Sequence, residues 1–225
     1  KTAYEIPLRL VGAEMCIRDS TARQLVDQLN LDARQGEAAI RAAHLCKHDL
    51  VSQMVGEFPE LQGLMGGKYL LEEGEPKEVA LAVVEHYLPR GAGDQLPSSD
   101  AGAVVALAER LELLLSIFAK GERPSGSSDP YALRRAGNGL LQIVWDRGWR
   151  LDLSRFLGSA VDDWTALFPE FAIDSSALHQ DLCQRLRQRH LGKCIHLLVP
   201  RESIPLRTAA HGLDRRRFRR RRRRR

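Results

Sequence analysis

Between Asp100 and Ala119 the chain carries a run, DAGAVVALAERLELLLSIFA, whose apolar positions recur at helical steps. Val104, Ala108, Leu111, Leu115 and Phe118 form one stripe, and Leu107 and Leu114 widen it. A stripe that wide needs apolar partners, so the segment is expected as a packed helix that Gly121 ends. Glu109, Arg110 and Glu112 are expected towards its outside. Ala/Leu/Val/Glu/Arg stretches at the same spacing elsewhere predict an all-α fold.

The other segments follow the same period. Thr21 to Leu29 reads as a short helix and Gly36 to Val55 as a longer one. In the longer one, Ala39, Ala43, Cys46, Leu50 and Met54 make a single apolar face. Gly56 and Pro59 stop it. Pro59 to Leu71 reads as a helix loosened by Gly63, Gly66 and Gly67, and Pro76 suits a first helical turn. Val79, Val83 and His86 follow on one face, and Leu88 to Ser99 is a Pro/Gly/Ser loop. Asp129-Pro130 reads as an N-cap with proline at the first helical position. Leu133, Ala136, Leu140 and Val144 carry that helix towards Gly148. Leu151 to Leu157 reads as a short helix, and Leu178 to Leu191 as an amphipathic one.

The ends break the pattern. Ala13 to Ser20, AEMCIRDS, looks like translated adapter read-through, so residues 1–20 are taken as a non-native leader outside the fold. From residue 193 onwards no period is sustained. Ten arginines lie within 215–225, while the whole chain has a formal net charge of +5. The rest is therefore acidic, which does not suit a strong general binder of nucleic acid. The Arg run reads as low-complexity translation in preference to an RNA-binding tail. The four cysteines form no CxxC pair, which suits a reduced, cytoplasmic chain. No apolar run is long enough to span a bilayer, and residues 1–20 have no signal-peptide core.

Two stretches are specific enough to name a family: Asp49 to Gly67, DLVSQMVGEFPELQGLMGG, and PSGSSDPYALRRAGNGLLQIV downstream. Over roughly residues 20 to 157 the chain resembles the middle of the bacterial glycyl-tRNA synthetase beta chain. The resemblance implies a compact multi-helix HD-like domain over 21–157, a helical continuation over 158–192, and an irregular segment with its Arg tail over 193–225. It also implies a fragment without the beta chain's N-terminal part and its C-terminal anticodon-binding part. Such a fragment would be non-catalytic by itself and would support tRNA binding and subunit assembly. The implied partners are the alpha chain and tRNA(Gly), in an α2β2 tetramer. ATP, with Mg, would be used by the holoenzyme through the alpha chain, and this fragment would hold no cofactor.

Several residue sets could carry chemistry. Adjacent His48 and Asp49, with His86 and Glu109 later, resemble the metal ligands of HD-type phosphohydrolases. Neighbouring helical side chains splay by about a quarter turn yet can reach one ion. This makes a metal-dependent phosphohydrolase acting on nucleotides the alternative function. Against it, such enzymes need a further histidine on the preceding helix, and Ser20 to Asn30 has none. Their last ligand is Asp, not Glu. Members of the synthetase beta family usually lack a histidine at the position of His48. The plainer expectation is that Asp49 caps or pairs locally and His86 is a buried polar residue, with no metal held.

Arg123, Arg134 and Arg135 bracket a Ser/Gly-rich turn before a helix start, where exposed N–H groups and arginines suit an RNA phosphate. They are the candidate tRNA contacts. Glu57 and Glu60 flank a turn with no nucleophile beside them. Cys183, His190, Cys194 and His196 match no standard zinc spacing.

Overall fold

The computed structural model of the chain describes residues 8–91, 93–122 and 131–189. Among them are nine α-helices and no strand. These are α1 (Leu8–Leu29), α2 (Ala33–Leu45), α3 (Gln53–Glu57), α4 (Leu64–Glu72), α5 (Lys77–Glu85), α6 (Asp100–Ala119), α7 (Leu133–Asp146), α8 (Leu153–Leu167) and α9 (Ser175–Arg189).

The all-α expectation holds, and α6 is its axis. Helices α1, α2, α5 and α7 all pack against α6, and α9 touches it as well. Its stripe residues are buried, Val104, Leu107, Ala108, Leu111 and Leu115 completely. A helix that is apolar nearly all round belongs in the interior. Ser99 starts it by accepting a hydrogen bond from the Gly102 N–H at 2.9 Å.

Three expectations are corrected by the packing. First, α1 begins at Leu8 rather than Thr21. Residues 8–20 are part of the helix, and Ile17, Arg18, Thr21, Ala22 and Leu25 form its buried face. Gln24 Nε2 donates to Asp163 Oδ2 at 2.9 Å and Ser20 Oγ donates to the same carboxylate, which ties α1 to α8. Secondly, the helix expected over 36–55 stops at Leu45. A 3-10 turn follows at His48–Val51, and Ser52, extended at φ −80°, ψ 143°, starts α3 by accepting from Val55 N–H. Ala39, Ala43 and Cys46 stay buried, whereas Leu50 and Met54 turn outwards. Thirdly, Arg110 and Glu112 are buried on α6, and Glu109 is only partly exposed.

Smaller differences have local causes. The segment after Pro59 is a 3-10 turn, Pro59–Leu61, followed by Gly63 at φ +79°, a left-handed conformation that ordinary side chains resist. Only then does α4 begin. Helix α7 starts at Leu133, because Ala132 is left-handed at φ 56°. Asp129 and Pro130 lie outside the described residues. Helix α8 extends well beyond Leu157, burying Ala160, Val161 and Trp164. Helix α9 buries Leu178, Leu182, Cys183 and Leu186, while the end expected at Leu191 lies outside the described residues.

Candidate functional site

The buried polar centre sits where α1, the α2–α3 connection, the end of α5 and the middle of α6 meet. Glu109 on α6 is its hub. Arg18 Nε from α1 reaches Glu109 Oε2 at 2.9 Å, and Lys47 Nζ reaches Glu109 Oε1 at 2.6 Å. Lys47 also donates to the Tyr87 hydroxyl at 2.8 Å and lies 4.0 Å from the centre of that ring. The Tyr87 hydroxyl in turn donates to Gln62 Oε1 at 3.1 Å. The chain is therefore satisfied at every link, which is what makes buried charge tolerable.

The charges answer one another. Burial works against ionisation of Glu109, but Lys47 and then Arg18 outweigh it and hold its carboxyl down to about 2. Burial opposes the charge on Lys47 too, and Glu109 and Tyr87 reverse that and raise its ammonium above the ordinary lysine range. His86, completely buried beside this network, is carried down to about 3, by burial first and by Lys47 next. It is neutral at physiological pH. Its Nδ1 faces the Val83 carbonyl at 2.6 Å, and since a carbonyl only accepts, Nδ1 carries the proton. Cys46, buried nearby, is pushed up to about 11 by desolvation, so its thiol is inert.

Asp49 does not join this network. Its Oδ2 accepts from the Gly63 N–H at 2.7 Å and the Gly66 N–H at 3.0 Å, at the start of α4. This is an N-cap supplied from another part of the chain, and a carboxylate suits the positive end of the helix. Local capping by Asp49 is thus what the structure contains. His48 donates from Nδ1 to the Leu45 carbonyl at 2.7 Å. Among the described residues, His48 Nε2, His86 Nε2 and Asp49 Oδ1 are buried without a hydrogen-bond partner. No three His, Cys, Asp or Glu side chains among those residues are grouped so that they could hold a metal ion. Of the four HD-like candidates, Glu109 is engaged by two side-chain cations and Asp49 by two peptide N–H groups. Arg18 and Lys47 supply the positive charge that an ion would otherwise bring to Glu109.

Arg110 is the second buried cation. Its guanidinium donates to the carbonyls of Ala106 at 2.8 Å, His86 at 3.4 Å, Tyr87 at 3.1 Å and Pro89 at 2.9 Å. Burial draws it down to about 10. It fastens the segment after α5 to α6, and so fixes His86 and Tyr87 relative to Glu109. Glu85 does similar work on the next turn of the loop, accepting from the N–H and hydroxyl groups of both Ser98 and Ser99.

The candidate RNA contacts lie elsewhere. Arg134 and Arg135 occupy the first turn of α7; Arg135 is exposed, whereas Arg134 is half-buried and engaged. Arg123 lies outside the described residues. Glu57 and Glu60 are both exposed. Cys183 Sγ lies 3.3 Å from His179 Nε2, while His190, Cys194 and His196 lie outside the described residues. The sequence reading missed Arg18, Lys47, Tyr87 and Arg110. Lys47 precedes the His-Asp pair, but nothing in its spacing marks it as buried. Arg110 sat on what the period made a polar edge.

Geometrically, the chain is an all-α domain closed around an ionic centre. Residues 14–197 match a family model described as "Glycyl-tRNA synthetase beta subunit". The glycine–tRNA ligase beta subunit of Acaryochloris marina is 49% identical over 184 residues, which is 82% of this chain and 26% of that protein. The corresponding subunit of Trichlorobacter lovleyi is 52% identical over 141 residues, 63% of this chain and 20% of that protein. That of Citrifermentans bemidjiense is 54% identical over 122 residues, 54% of this chain and 18% of that protein. The chain belongs to the glycyl-tRNA synthetase beta subunit family. It spans about a quarter or less of the length of these relatives.

Proposed function

We propose that this chain is part of the beta subunit of a glycine–tRNA ligase, and that it supports tRNA binding and subunit assembly while carrying no catalytic group of its own. The observation that carries the reading is the family match across residues 14–197, with relatives about half identical in sequence over most of that span. The whole enzyme joins glycine to tRNA(Gly) at the expense of ATP. Its alpha chain holds the catalytic centre and uses ATP with Mg. This chain is the HD-like helical part of an α2β2 assembly in the cytoplasm. Among the described residues no helix is long and apolar enough to cross a membrane.

The ionic centre supports a scaffold role over hydrolysis. A metal-dependent phosphohydrolase needs carboxylate and imidazole groups turned towards one ion. Glu109 instead receives Arg18 and Lys47, and Asp49 receives peptide N–H groups.

Contact with tRNA is assigned to the start of α7, where Arg134 and Arg135 stand in an otherwise acidic body. The test uses the full-length beta chain paired with its alpha chain. Arg134→Ala combined with Arg135→Ala weakens tRNA binding and makes its salt dependence shallower, by up to about one unit per lost phosphate contact on a log–log plot. ATP-dependent activation of glycine without tRNA stays nearly unchanged. If tRNA binding is unchanged while thermal stability collapses, the arginines are structural and the assignment fails.

A further inference from the structure

We draw no further inference here: the strongest candidate, the set of buried and unpartnered acceptors His48 Nε2, Asp49 Oδ1 and His86 Nε2 at the α2–α3 connection and the end of α5, belongs to the candidate site already described, where no three His, Cys, Asp or Glu side chains among the described residues are grouped to hold an ion.

Discussion

His86 shows what a buried neutral imidazole does to a fold. In the unfolded chain it takes up a proton near 6.5, whereas in the folded chain it resists protonation down to about 3. Between those values the unfolded state binds the extra proton, so stability is complete above 6.5 and falls as pH drops through the window. Glu109 acts lower down. Its carboxyl is held at about 2 in the fold against 4.5 outside it, so its contribution is present above 4.5 and is lost as pH falls towards 2. Urea denaturation at pH 7 and pH 5 separates the two, since only His86 contributes across that interval. The wild-type chain is less stable at pH 5, and His86→Leu loses most of that difference. A slope that survives the substitution would assign the pH dependence to another group.

At the scale of the element, two glycines make opposite predictions from the same substitution. Gly139 lies inside α7, where alanine should gain about 1 kcal/mol from helix propensity. A Cβ there would stand 2.7 Å from Arg110 Nε, and Arg110 is fixed by four carbonyls. Gly139→Ala is therefore expected to destabilise by about 1–3 kcal/mol, as overpacking does. Gly56, in α3, meets nothing within 4 Å, and Gly56→Ala should stabilise by about 0.5–1 kcal/mol. Thermal denaturation of the two variants checks both signs.

Element identity was largely legible in the sequence, because the stripes of α6 and α7 and the Val79–Val83–His86 face are periodic. What periodicity could not see was the interruption after Leu45. The apolar step continues to Leu50 and Met54, but Asp49 turns inward to cap α4 and Ser52 restarts the helix. Nor could it see Arg18, in a stretch set aside as foreign, or the burial of Arg110, which only its ring of carbonyls makes tolerable. The Asp49 part of the site was readable as a cap. The partners of Glu109 come from distant segments, and no local pattern reports them.

For the whole molecule, α6 sets the stability. Leu111 and Leu140 are both fully buried, at the α6 and α7 faces of the core, and replacing either with alanine should cost about 2–5 kcal/mol. Leu50→Ala, at a position 46% exposed, should stay within about 0.5 kcal/mol in the isolated chain. Chemical denaturation of the three variants tests the assignment. Equal losses at all three would mean that Leu50 is covered within the chain itself.

The central place of α6 also governs how the chain is made. Helices α1, α2 and α5 come first in the sequence, yet all three pack on a helix that emerges after them. Until residue 119 has left the ribosome, their apolar faces have no axis to close upon, and Arg18 and Lys47 have no Glu109. A nascent chain that ends before α6 therefore lacks the helix on which α1, α2 and α5 all pack. Domain completion waits on a single late helix.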